Sequence, residues 1–214
     1  MAVNSEFEAT FAIPAPMALP HPRWDDRLAR RVSDILSPPV VAVTGLLLVA
    51  RAVATPAAWG WVSFYLALVV LTPTLYVIWL LRRGEVTDFH LRVREQRIKP
   101  LLVILAAMIV AWLALLVGAA PRLLLALAGA GTVQALIIFL VTLRWKISGH
   151  AAAIAGLAVL SWLLASPVAA PAALSVPLVI WARLQLRRHT FLQTLAGATV
   201  GALISVAVYL AGRW

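Results

Sequence analysis

Seven apolar runs follow one another along the chain, near 38–54, 60–82, 100–118, 122–143, 150–166, 169–186 and 191–211, parted by short polar gaps. A helix needs around 20 residues, at about 1.5 Å each, to cross a hydrocarbon layer of roughly 30 Å. The pattern predicts an all-α integral membrane helical bundle of about seven transmembrane helices, six if one of the shorter runs is half-inserted. The runs 150–166 and 169–186 are separated by Ser166-Pro167, a helix-ending turn. No repeat at a fixed period is evident.

Residues 1–37 form the one long polar stretch. Met1–Pro22 is rich in Ala and Pro and reads as a loosely ordered tail. Nothing in it combines a basic start with an apolar core, so no cleavable signal peptide is expected. In Trp24–Leu36 the helical period puts Trp24, Leu28, Val32, Ile35 and Leu36 on one face, with Arg27, Arg30, Arg31 and Asp34 elsewhere. That is the pattern of an interfacial amphipathic helix. The organisation is therefore a polar tail, 1–37, and a single transmembrane domain, 38–214.

Composition agrees: 214 residues are 63% hydrophobic and 12% charged, with mean hydropathy +0.96. There is no cysteine, which excludes disulfides, thiolate metal sites and Cys nucleophiles. The net charge of +10 is not gathered on a soluble face. Fifteen of the eighteen Lys and Arg residues lie before the first apolar run or in the loops 82–100, 144–150 and 183–190. The opposite loops hold Arg122 and Arg213, with Arg51 able to snorkel there. Such asymmetry sets topology first and binds anionic headgroups or phosphates second, so no nucleic-acid partner is expected. By the positive-inside rule the basic side and the N-terminus face the cytoplasm, in the inner membrane, and an odd helix count puts the C-terminus outside.

All eight acidic residues lie at or before Glu95. Phosphate chemistry assisted by Mg²⁺ draws on carboxylates, so no metal and no other cofactor is expected. The paired-Asp motifs of aspartate-rich prenyltransferases and CDP-alcohol transferases have no counterpart here. What remains is cationic and imidazole chemistry in three clusters on the basic side: Arg92 to Pro100; Lys146-Ile147-Ser148-Gly149-His150; and Arg183 to His189, followed by Gln193.

The spacing of these clusters resembles the phosphatidic-acid-phosphatase type 2 superfamily, the lipid phosphate phosphatases, over about residues 92–200. That family carries Lys, six residues, Arg-Pro; then Pro-Ser-Gly-His; then Ser-Arg, five residues, His, three residues, Asp. This chain reads Arg92, six residues, Lys99-Pro100; then Ile147-Ser148-Gly149-His150; then Ala182-Arg183, five residues, His189, three residues, Gln193. The resemblance implies His189 as nucleophile, forming a phosphohistidine, and His150 as the acid that protonates the leaving oxygen. It also implies Arg92, Lys99, Arg183, Ser148 and Gly149 as phosphate-binding residues. Lys146 adds a cation at the pocket rim. Gln193 stands where the family has Asp: it can accept the imidazole N–H and fix the tautomer, but it cannot stabilise an imidazolium as a carboxylate does.

Physical chemistry groups the same residues. A transferring phosphoryl group spreads negative charge over its oxygens, so fixed cations and N–H donors are the main need. Arg supplies bidentate geometry, the helix beginning at Ser148 supplies a positive dipole end, and imidazoles titrate near neutrality. The expectation is a metal-independent phosphatase for a lipid phosphate or prenyl (di)phosphate, with membrane lipids and an amphiphilic phosphate substrate as partners. The alternative is a catalytically silent lipid-binding or structural subunit of a larger membrane complex, and a homo-oligomer is open in either case. Arg82, Arg83, Arg94, Arg97, Arg187 and Arg188 read as topology and headgroup contacts rather than site residues.

Overall fold

The computed structural model describes residues 23–86, 98–164 and 166–212. Among the described residues the regular elements are all helices. Helix α1 (Trp24–Ile35) leads into α2 (Pro38–Val53). Next, α3 (Pro56–Leu66) continues through a single widened π turn, Ala67–Leu71, into α4 (Thr72–Arg82). The remaining helices are α5 (Ile98–Val117), α6 (Arg122–Thr142), α7 (Gly149–Leu163), α8 (Ala169–Gln185) and α9 (Phe191–Gly212).

Local chemistry sets the boundaries. Proline occupies the first turn of α2, where its missing N–H costs nothing. Thr55 caps α3 by accepting the Ala58 N–H. Gly84, at φ 70°, ends α4, and the Glu85 N–H returns to the Leu80 carbonyl.

Among the described residues four helical stretches are long and apolar enough to cross a membrane: the 27-residue α3–α4 unit, α5, α6 and α9. The α1–α2 pair, bent by 43°, makes a fifth if it is one span. The protein is thus an all-helical membrane protein with four to five candidate spans. That count is lower than the seven apolar runs because α7 and α8, with 15 and 17 residues, fall short of the length a perpendicular crossing requires, as does the 16-residue α2 taken without α1.

Two apolar clusters hold the helices. One joins α2, α3, α5, α6 and α7 through Leu46, Val62, Tyr65, Leu115, Leu124 and Leu160. The other joins α1, α2, α7 and α8 through Ala29, Val32, Val41, Ile154, Val179 and Ala182. The second cluster corrects the single apolar face expected for α1. Val32 is buried and Leu36 packs against the same cluster, whereas Trp24, Leu28 and Ile35 are exposed. The arc of α1 is wide enough to serve two surfaces.

The closest helix pairing is between α7 and α9. A Cβ on Gly197 would run into the carbonyl oxygen of Ser148, and one on Gly201 into that of Ala152. Gly156, across from them, meets Ser205 and the Gly201 carbonyl. Small residues at four-residue spacing let two backbones approach, which is how helices associate where lipid offers no hydrophobic drive.

Candidate functional site

This pairing builds the site by fixing the start of α7 against the start of α9. Ser148 is fully buried; its N–H donates to the Gln193 carbonyl at 3.2 Å, and its Oγ accepts the Ala151 N–H at 3.3 Å as N-cap of α7. Gly149 and His150 therefore form the first turn of α7, where backbone N–H groups lack intrahelical acceptors and the dipole favours anions.

Arg183 arrives from the end of α8. There the Arg188 N–H bonds the Arg183 carbonyl at 3.0 Å and the Arg187 N–H bonds that of Leu184 at 2.9 Å. Arg187 sits in the left-handed region at φ 50°. These paired bonds reverse the chain at the helix terminus and return Arg188 and His189 toward Arg183. Thr190 then starts α9 with a reciprocal cap: its N–H donates to Gln193 Oε1 at 3.1 Å, while the Gln193 N–H donates to Thr190 Oγ1 at 3.4 Å. This is the capping-box arrangement of Ser/Thr-x-x-Glu/Gln. Gln193 has a structural reason to be Gln that its alignment with a family Asp did not reveal.

The described structure brings Lys146, Ser148, Gly149, His150, Arg183, His189 and Gln193 to one end of α7, α8 and α9. Burial pushes His189 down from the usual 6.5 to about 4, the charges of Arg183 and Lys146 add to this, the Gln193 side chain opposes it, and Arg188 adds again. His189 is thus neutral at pH 7. Its Nδ1 is buried without a hydrogen-bond partner among the described residues. His150 bonds the backbone of Ser33 and feels the charges of Arg183, His189 and Arg188. Arg183 is 6% exposed, and its Nη1 donates to Ser33 Oγ at 2.6 Å.

Two members of this group were not expected from the sequence. Arg188 acts on both imidazoles, although its run of basic residues reads as topology. Ser33 comes from α1, whose inner face closes over Arg183 and His150. Its only sequence signal is a small polar residue next to the apolar arc of an amphipathic helix. Lys99, expected at the phosphate, instead pairs with Glu85 at 3.2 Å, joining the start of α5 to the turn after α4. Arg92 lies outside the described residues. Among the described residues no group of three or more His, Asp or Glu side chains is placed to hold a metal ion. In comparisons with known proteins, no family model, no curated protein and no solved structure matches the chain.

Proposed function

We propose that this chain is a metal-independent phosphatase for an amphiphilic phosphate or diphosphate, a divergent relative of the phosphatidic-acid-phosphatase type 2 enzymes. The reading rests on the joint placement of two imidazoles and a buried Arg at a helix N-terminus, with Lys146 and Arg188 as further cations.

In the reaction the neutral His189 ring attacks phosphorus. The phosphorus–oxygen bond to the leaving group breaks as His150 delivers a proton to that oxygen. Water, giving a proton to the now neutral His150, then attacks phosphorus, breaks the N–P bond of the phosphohistidine and frees neutral His189. Arg183 and the first turn of α7 hold the equatorial oxygens. Among the described residues, every charge acting on His189 is positive. An arriving phosphate dianion supplies negative charge that raises proton affinity beside it. One proton taken up from solvent then resides on His150, so the acid is formed by the substrate it serves while His189 stays neutral. The apolar tail of the substrate lies between helices. Counting α7 and α8 as membrane-embedded gives about seven spans, with the site on the cytoplasmic side of the inner membrane, where the basic loops collect.

One observation favours a second reading. Gln193 is committed to capping α9 and Ser33 occupies Arg183, as expected of a silent relative that retains the fold as a lipid-binding or structural subunit. Phosphate release from prenyl diphosphates and lipid phosphates separates the two. The enzyme releases phosphate in EDTA, is inhibited by vanadate and loses activity as His189→Ala. A silent subunit stays at background with every substrate and co-purifies with fixed partners. Loss of activity on chelation, restored by Mg²⁺, would overturn the proposed chemistry.

A further inference from the structure

Helix α1 carries six charged residues in twelve, Asp25, Asp26, Arg27, Arg30, Arg31 and Asp34, and it meets the apolar α2 at a bend of 43°. Its inner face is accounted for: Ala29, Val32 and Ser33 are buried against α8 and the site. Its outer face is not. Trp24, Leu28 and Ile35 are 70%, 43% and 66% exposed. Their spacing, with Arg31 between Leu28 and Ile35, aligns them on one side of the helix.

The charges of α1 are sorted between the two sides. Asp25 and Asp26 turn inward to accept from the Gln185 side chain, at 3.3 and 3.1 Å, and Asp25 also pairs with Arg23. Arg27 and Arg31 are exposed and form, with Trp24 and Leu28, a shallow groove beside the apolar stripe. Two of the three acids of α1 are thus partnered elsewhere, Asp34 stays exposed at its far end, and Arg27 and Arg31 flank the stripe. A Trp–Leu–Ile stripe bordered by arginines, one short bend from the apolar α2, is complementary to a bilayer surface carrying negative headgroups.

We infer that the outer face of α1 docks on anionic phospholipid, with Trp24, Leu28 and Ile35 at the headgroup–acyl boundary and Arg27 and Arg31 on the phosphates. This inference is independent of the phosphatase reading, since it uses none of the histidines. It gives the bilayer a grip on the same helix whose other side holds Ser33 against Arg183.

The cysteine-free chain makes the test direct. Full-length protein carrying Leu28→Cys, Ile35→Cys or, as control, Arg30→Cys is labelled with an environment-sensitive fluorophore. Each is placed in nanodiscs of phosphatidylcholine alone or with phosphatidylglycerol, containing lipids with a nitroxide near the headgroup. The expected result is quenching at 28 and 35 but not at 30, deepening when phosphatidylglycerol is present. The composition dependence is lost in the Arg27→Gln/Arg31→Gln background. Two labelled positions on the stripe guard against one variant that misfolds. Labels at 28 and 35 that stay in water in both lipids overturn the proposal, as does equal quenching in both. Shielding that already appears in detergent and grows with protein concentration overturns it in favour of a second copy of the chain.

Discussion

Replacing Gln193 with Glu exchanges a neutral group for an anionic one without changing side-chain length. The cap on α9 survives, because Glu serves the capping box as well as Gln and an acid in the first helical turn is favoured by the dipole. The electrostatics of His189 do not survive. Among the described residues its ring sits under burial and three positive charges, opposed by the Gln193 side chain, and its pKa lies at about 4. An opposite charge within about 4–6 Å moves a pKa by about 1 to 3, so His189 should rise to roughly 5–7. Histidine NMR across a pH titration in nanodiscs reads this directly, with His189→Gln assigning the resonance. A His189 that still titrates near 4 in Gln193→Glu would refute the placement of residue 193 against the ring. For the enzyme, the added carboxylate stabilises the imidazolium. The corresponding carboxylate in serine proteases is worth about 10⁴ in kcat, so phosphate release should increase. Gln193→Asp is the informative contrast: one methylene shorter, it gives up the bond to the Thr190 N–H and about 0.5–2 kcal/mol of capping.

The depressed pKa of His189 makes the folded state bind fewer protons than the unfolded chain between pH 6.5 and about 4. Stability from this group is therefore full above pH 6.5 and falls as the pH drops through that window; His189→Gln should flatten that part of a melting-temperature profile. Ser33→Ala removes the hydroxyl that the buried Arg183 donates to and should cost about 1–3 kcal/mol in thermal unfolding. Gly201→Val places a side chain against the Ala152 carbonyl and should destabilise by about 1–3 kcal/mol or more. Gly60→Ala, where the added methyl meets nothing within 4 Å, should be near neutral.

The helices were legible because apolar runs of this length have few alternatives, and each predicted run overlaps one helix or, for 60–82, the α3–α4 unit, with ends displaced by up to four residues. The pairing of Lys146–His150 with Arg183–Gln193 was legible too, since a basic motif at each of three helix ends on one side must gather when those helices pack. Three details were not. The inward turn of Val32 and Ser33 depends on which neighbour α1 meets, and periodicity gives the width of an apolar arc but not its partner. The ion pair of Lys99 with Glu85 crosses a loop whose path the sequence does not state. The double duty of Gln193 was hidden because its cap partner, Thr190, lies between the two motif residues and has no place in the spacing used to recognise them.

The glycine contact between α7 and α9 also fixes the order in which the site can come into being. Helix α8 lies between them in sequence, so Ser148, Ala152 and Gly156 emerge from the ribosome before the surface that covers them exists. At about 5–20 residues per second, the 22 residues of α9 take roughly 1–4 s to be synthesised. For that interval the small-residue face of α7 lacks its partner, and His189, already synthesised, has no α9 to hold it. The Gln193 carbonyl and the glycine face of α9 therefore reach Ser148 and Ala152 in a late docking step. A chain halted before Gly201 carries both histidines without the Gly201–Ala152 contact that completes the seam between α7 and α9.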